Sequence, residues 1–385
     1  MVQAEHNAGT MRDDRVGTLV RRCLWNGLVA LTSVFLALVM FEGAIRVFFP
    51  QSHFTARVLV WDHELGVRQI AGARGWIVTP EFRTRVTTNS KGLRDTEYSY
   101  VKPPGVCRIL CLGDSYTFGF GVDADEAFPK VLEVLLNSSG EADGRYQVLN
   151  GGICGGGTAN QLAFFNAEGY RYQPDFVVLC VCTANDFLDN RRSGLYSFDD
   201  GRLVKRDARL SGTELLRSIL PRLPCYAFLS SHSHLMTLLK HRVGSLVAHH
   251  DFRGQISQSE VARRENDEYE LTQCLLSSMR DSCLARGSTL VITVVPHLSA
   301  QFQDKRVAAL VDFLKVDGFD YVDLFPAFRE DEQLGMENFF PINHHWNKRG
   351  HGRVAEILCD FLTGRLAGNV AHRRAAFPSQ ARDVR

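Results

Sequence analysis

Residues 113–115 read Gly-Asp-Ser, directly after the apolar run Arg108-Ile-Leu-Cys-Leu112 and before Tyr116-Thr-Phe-Gly-Phe-Gly121. A strand that ends on a small residue and passes a serine into a glycine-rich turn presents that hydroxyl at the carboxyl edge of a sheet. A serine hydroxyl becomes a nucleophile only when a base takes its proton. The segment Asn343-His344-His345-Trp346-Asn347 supplies candidates, with His351 shortly after. His345 is the leading base, because it lies in a polar loop just before the last helix, where a side chain reaches the strand ends. His344 points elsewhere if the segment is extended, and His351 falls inside the helix, where packing or capping suits it better. An acyl-transfer intermediate also needs donors for its oxyanion. The Ser115 backbone N–H is one. Gly155, in the cluster Gly151-Gly-Ile-Cys-Gly-Gly-Gly157, is another, with no side chain in the way. Asn185, after a second apolar run, offers its side-chain amide. The plain structural alternatives are a tight turn for the glycines and local capping for Asn185. Taken together, these pieces point to serine acyl chemistry.

These residues need a scaffold that alternates strand and helix. Arg108–Leu112, Tyr146–Leu149, Phe176–Cys182, Leu290–Val295 and Tyr321–Phe325 read as strands. The uninterrupted apolar run at Phe176–Cys182 fits a parallel sheet covered on both faces. Phe128–Leu136, Thr158–Gly169 (with Thr158 as a candidate cap), Arg264–Ala285, Arg306–Leu314 and Arg349–Leu362 read as helices. The pattern predicts a three-layer α/β/α domain with a mostly parallel central sheet over residues 107–365, interrupted by a helical insertion at about 190–260. A hairpin turn is expected at Asp199-Asp200-Gly201. Residues 50–106, broken by Pro50, Gly72, Gly75, Pro80, Gly92 and Pro103-Pro104-Gly105, read as an irregular lead-in with an extended stretch at Phe82–Thr87. Residues 366–385 read as a flexible tail.

Cys23–Phe41 holds 19 residues without a charge, close to the ~20 that cross a bilayer. Arg12, Arg15, Arg21 and Arg22 precede the run, and only Arg46 and Arg57 follow closely. The expected arrangement is a cytoplasmic tail at residues 1–22, a transmembrane anchor and juxtamembrane segment at 23–49, and the large domain on the extracytoplasmic side. A cleaved signal peptide and a buried helix are the alternatives, although no small-x-small cleavage site follows the run. The chain has 44 basic and 43 acidic residues, a balance that gives no reason to expect a nucleic-acid partner. The glycine cluster has no GxGxxG at the required offset and no Walker lysine, so no nucleotide cofactor is expected. No metal is expected either. The five histidines His232, His234, His241, His249 and His250 of the insertion lack an acidic partner at ligand spacing, and none of the ten cysteines forms a CxxC. Most of the cysteines read as small buried apolar residues. A Cys274–Cys283 disulfide is a further arrangement that an outward-facing domain permits.

The blocks Gly113-Asp114-Ser115, Asn150-Gly-Gly-Ile-Cys-Gly155, Ala184-Asn185-Asp186 and Asn343-His344-His345, in that order, resemble those of the SGNH hydrolase, or GDSL-like lipase/esterase, family over about residues 107–362. The segment Asn89-Ser-Lys-Gly-Leu-Arg-Asp95 is similar to that of its membrane-anchored branch. The resemblance implies a flavodoxin-like fold, Ser115 as nucleophile, His345 as base, and Gly155 and Asn185 as oxyanion donors. One position departs from the pattern: the family usually has aspartate two residues before the histidine, and this chain has Asn343. An amide orients an imidazole but stabilises imidazolium less than a carboxylate. Three arrangements are open: a Ser115–His345 dyad with Asn343 as orienter, a triad completed by another acid such as Asp323 or Asp331, or weakened hydrolysis. Asp114, directly before the nucleophile, reads as a brace for the turn.

The leading expectation is a serine-dependent esterase or deacylase acting on an O-acylated small molecule or glycan. The resemblance also implies an alternative, an O-acyltransferase that passes the acyl group to a cell-surface polysaccharide. A non-catalytic carbohydrate-binding protein on the same scaffold is a further alternative, supported only by Asn343. The acceptor, acyl-chain length and oligomeric state leave no mark in the sequence.

Overall fold

The structure is a computed structural model that describes residues 2–55, 58–138, 146–199, 202–207, 219–220, 223–252, 258–297 and 305–376. A long helix α1 (Val2–Phe48) leads in. Next come β1 (His53–Phe54), β2 (Leu59–Asp62), β3 (Gly66–Gln69), β4 (Arg74–Val78) and β5 (Arg83–Thr87). They form a three-stranded antiparallel sheet, β1-β4-β5, and a β2-β3 hairpin. The lead-in is therefore ordered structure, contrary to the irregular segment expected. Its glycines mark turns between short strands: Gly66 and Gly72 adopt φ of 72° and 65°, where a side chain is strained. Along β5, Thr84 and Val86 point inward and Arg83 and Arg85 outward, a period-2 pattern too short to stand out in the sequence.

The central sheet contains β6 (Cys107–Leu112), β7 (Tyr146–Asn150), β8 (Phe176–Cys182), β11 (Thr289–Val295) and β12 (Asp320–Asp323). Its spatial order is β7-β6-β8-β11-β12, and every pairing is parallel. Relabelled in order along the domain, that is 2-1-3-4-5, the flavodoxin-like winding. Alternate side chains feed two cores. Leu110, Leu112, Val177, Leu179, Ile292 and Val294 pack on one face, against α4 (Thr158–Ala167), α8 (Gln258–Leu284) and α9 (Lys305–Val316). Ile109, Cys111, Val178, Cys180 and Val291 pack on the other, against α3 (Phe128–Ser138) and α11 (Lys348–Ala376). Burial on both faces is why Phe176–Cys182 is apolar at every position. The chain leaves β6 for β7 on one side and returns to β8 on the other, which opens a crevice at the carboxyl ends of these strands.

Several boundaries differ from the sequence reading. The last strand stops at Asp323, whose carboxylate accepts from the Phe325 amide (3.0 Å) and helps start α10 (Phe325–Gln333). Gly157, not Thr158, is the N-cap of α4, and its amide is held by the Asn160 side chain (3.1 Å). α11 runs on to Ala376, well past Leu362 and into the expected tail; residues 377–385 lie outside the described residues. A short helix, α5 (Asp186–Ser193), follows β8. The hairpin forms between β9 (Tyr196–Asp199) and β10 (Arg202–Lys205), its Asp200-Gly201 turn lying outside the described residues. All ten cysteines are free thiols. Cys274 and Cys283 lie nine residues apart on α8, about 13 Å of helical rise, beyond disulfide reach.

Within the insertion, α6 (Pro224–His232) and α7 (His234–Phe252) meet the end of α1. Glu42 accepts from the Ser233 hydroxyl (2.8 Å) and from the amides of His234 (3.0 Å) and Leu235 (2.9 Å). These amides open α7 and have no intrahelical acceptor, so the carboxylate caps the helix. Arg46 pairs with Glu42 (2.8 Å) and donates to the His232 carbonyl (2.7 Å). The stretch Arg21–Phe48 is long and apolar enough to cross a membrane. Its apolar side chains, Leu31 and Met40 among them, project from the rest of the chain uncovered.

Candidate active site

Ser115 opens α2 (Ser115–Phe118) at the end of β6. Asp114 braces this turn: its carboxylate accepts from the Tyr116 amide (2.9 Å). Gly113 has no room for a side chain, since a Cβ there would run into Thr117 and Cys180. The far side of the turn is clamped from the lead-in by the buried Arg94, which donates to the carbonyls of Phe118 (3.0 Å), Gly119 (2.6 Å) and Val122 (2.7 Å). Burial pulls this guanidinium down to about 10, against the opposing charges of Asp123 and Asp125. The serine thus stands on a turn fixed at both ends.

The Ser115 Oγ lies 2.7 Å from His345 Nε2. On the other side of the ring, Nδ1 lies 2.6 Å from Asn343 Oδ1. An amide oxygen accepts only, so Nδ1 carries the hydrogen and Nε2 is left free to accept from the serine. Tyr116 (5.0 Å between ring centroids) and Phe120 (4.7 Å) pack on the imidazole. Burial, with help from His297 and His344, lowers its pKa to about 4, so the ring is neutral at pH 7. Among the described residues no carboxylate bonds this ring. Asp323 is engaged with Phe325. Asp331 is held by Asn338 (2.7 Å) and paired with Arg353 (3.4 Å). The side chain bonded to Nδ1 is therefore that of Asn343. His344 turns back at φ 65°, and its carbonyl is pinned by the Tyr116 hydroxyl (3.0 Å). His351 is buried and accepts from the Phe128 amide (3.2 Å), a packing role.

Gly155 and Asn185 both come to this crevice. The Gly155 loop is tied to the nucleophile turn through Ile153, whose amide donates to Gly113 O (2.9 Å). Gly155 itself has φ 71° and open space where a Cβ would stand. The Asn185 amide nitrogen lies 3.2 Å from Asp114 Oδ2 and 3.1 Å from Asp189 Oδ2. Both its hydrogens therefore go to carboxylates, and serving an oxyanion requires exchanging one of them. Asp189, one turn into α5, was not legible as a site residue. Nor was Glu81, between β4 and β5, whose carboxylate accepts from the amides of Ile342 (2.8 Å) and Asn343 (2.7 Å). It fixes the loop that carries the base. Its position 264 residues before His345 leaves no spacing signal.

A parallel sheet of this winding, with a neutral histidine hydrogen-bonded to a serine at its switch point, defines a serine-dependent ester hydrolase. Residues 111–353 match the model of the GDSL-like Lipase/Acylhydrolase family, and the chain belongs to that family. No curated protein matches it. Several solved structures are similar at low identity. A two-domain esterase active on acetylated mannans is 14% identical with a TM-score of 0.39, over 67% of this chain and only 49% of its own length. LAE5, an α/β hydrolase from the metagenome of Lake Arreo, Spain, is 13% identical with a TM-score of 0.37, over 68% of this chain and 96% of its own. Axe2, an acetylxylan esterase from Geobacillus stearothermophilus, is 12% identical with a TM-score of 0.38, over 66% of this chain and 93% of its own.

Proposed function

We propose that Ser115 is the nucleophile and His345 the base of an esterase or deacylase that runs on a dyad oriented by Asn343. The observation that carries this reading is the relay from Asn343 Oδ1 through His345 to Ser115 Oγ, at 2.6 and 2.7 Å. Ser115 Oγ attacks the ester carbonyl while Nε2 takes its proton. The resulting imidazolium is steadied by the Asn343 oxygen, a dipole where a triad has a full charge. The Ser115 and Gly155 amides receive the oxyanion, joined by Asn185 when its amide leaves one of its two carboxylates. The leaving alcohol takes the proton from Nε2. Water, deprotonated by the same nitrogen, then releases the acid and frees Ser115.

In this reading α1 is a single-pass anchor with its N-terminus inside and the catalytic domain outside, in keeping with the arginine bias and the uncovered apolar stretch Arg21–Phe48. The test is turnover of a short-chain aryl ester by the full-length chain, with and without a sugar acceptor. Release of acid without sugar is expected. Acyl-enzyme that discharges only to sugar would replace the hydrolase with a transferase.

A further inference from the structure

We propose that an apolar cavity between the lead-in strands and the nucleophile turn binds the acyl chain of the substrate and selects acyl groups longer than acetyl. The proposal rests on Ser115 being the nucleophile and adds the identity of the group transferred. The cavity measures about 270 Å³. On one side it is walled by Phe54, Val58, Leu59 and Ile77, all outside the family-matched residues 111–353. On the other side stand Phe118, Phe120 and Cys154. Each of these last three is covalently close to the chemistry. Phe118 and Phe120 follow Ser115 on its own turn, and Cys154 precedes Gly155. The Phe120 ring is a shared wall: its centroid is 4.7 Å from that of His345 and 6.0 Å from that of Phe54.

The chemistry of the lining names the occupant. It is hydrocarbon and aromatic apart from one thiol, with no charged side chain or amide. A sugar placed there would lose its hydrogen bonds to water without replacement, whereas a hydrocarbon chain is welcome. An ester at Ser115 has two ends, and the apolar one is the acyl chain. A cavity of about 150 Å³ lodges benzene. On that scale this one accepts on the order of ten carbon atoms or fewer, enough for a medium chain but not a long one. Phe54, half exposed, stands at its outer edge.

The test is a series of p-nitrophenyl esters from acetyl to decanoyl, with the full-length chain in lipid nanodiscs so that no detergent competes for the cavity. Burial of one methylene is worth up to about fourfold in kcat/KM. The expected profile climbs from acetyl to a maximum between hexanoyl and decanoyl. Leu59→Trp, which fills the cavity, is expected to lower the octanoyl-to-acetyl ratio at least about tenfold. Phe54→Ala, at a half-exposed position that tolerates truncation, should lower the same ratio about threefold even if the tryptophan variant fails to fold. An acetyl preference in the parent, or a ratio that neither folded variant moves, overturns the cavity assignment while Ser115 acylation still stands. If no ester in the series acylates Ser115, the nucleophile reading fails and the cavity assignment fails with it.

Discussion

Asn343 sets how strongly His345 holds a proton during the reaction. The His345 ring now sits at about 4 because burial disfavours its charged form. Asn343→Asp places a carboxylate at the 2.6 Å contact on Nδ1. A negative charge there favours imidazolium, so the midpoint of the acylation pH profile should move upward from the region of pH 4, and the acylation rate at neutral pH should rise about tenfold. An unmoved midpoint would mean that Nδ1 is not oriented by residue 343. Asn185 bears on the other half of the chemistry. Asn185→Ala is expected to reduce kcat by about 10²-fold, as loss of an oxyanion donor does, with little change in KM. A pure rise in KM would place the amide in ground-state binding instead. At this scale the sequence singled out Ser115, His345 and Gly155 by residue type beside an apolar run or in a loop, and Asn343 by its departure from the family pattern two residues before His345. The structure brings Ser115, His345 and Asn343 into contact. The partners of the Asn185 amide were not singled out, because Asp114 reads as a brace and Asp189 as one polar helix residue among several.

The elements that carry these residues are held by the lead-in, and that is where the sequence was least legible. Of the central strands, β6, β8 and β11 are apolar at nearly every position and stand out as runs. The β1–β5 strands are two to five residues long and partly exposed, so their register is invisible without the pairing itself. Their contribution is specific: Glu81 holds the amides of Ile342 and Asn343, and Arg94 clamps the nucleophile turn. Glu81→Ala should lower kcat about tenfold by loosening the base-bearing loop, and Glu81→Gln, which keeps an acceptor oxygen, should recover part of the loss. Equal turnover in parent and alanine variant would remove Glu81 from the positioning role. The histidine-bearing loop and helix also predict an acid response. Burial lowers His351 to about 3, against about 6.5 in an unfolded chain. The unfolded state then binds more protons across that window. This histidine costs no stability above about pH 6.5 and an increasing amount as the pH falls toward 3. Buried Asp114, raised to about 6, works in the opposite direction, so the comparison must be made against a variant. His351→Asn keeps an acceptor for the Phe128 amide and removes the titration. On going from pH 7 to 4.5 it should lose roughly 2 kcal/mol less than the parent in denaturant melts. Parallel losses in the two proteins would show that His351 does not couple to folding.

For the whole molecule, the end of α1 is joined to the insertion by the Glu42 clasp. The apolar run of α1 was plain in composition. The Glu42 clasp was not, since its Ser233 contact joins residues 191 positions apart. In the proposed topology Cys225 of α6, an exposed thiol, lies outside the cytoplasm. A membrane-impermeant maleimide should label it in intact cells, and labelling only after lysis would reverse the orientation. The central claim is that Ser115 becomes acylated with His345 as its base. The most direct measurement is the intact mass of the full-length chain, quenched within its first turnovers on a hexanoyl aryl ester, with peptide mapping of the adduct. The account predicts one hexanoyl group on Ser115, absent from Ser115→Ala and formed at least ~10³-fold more slowly in His345→Ala. An adduct on another residue, or normal turnover by a well-folded Ser115→Ala, would contradict it.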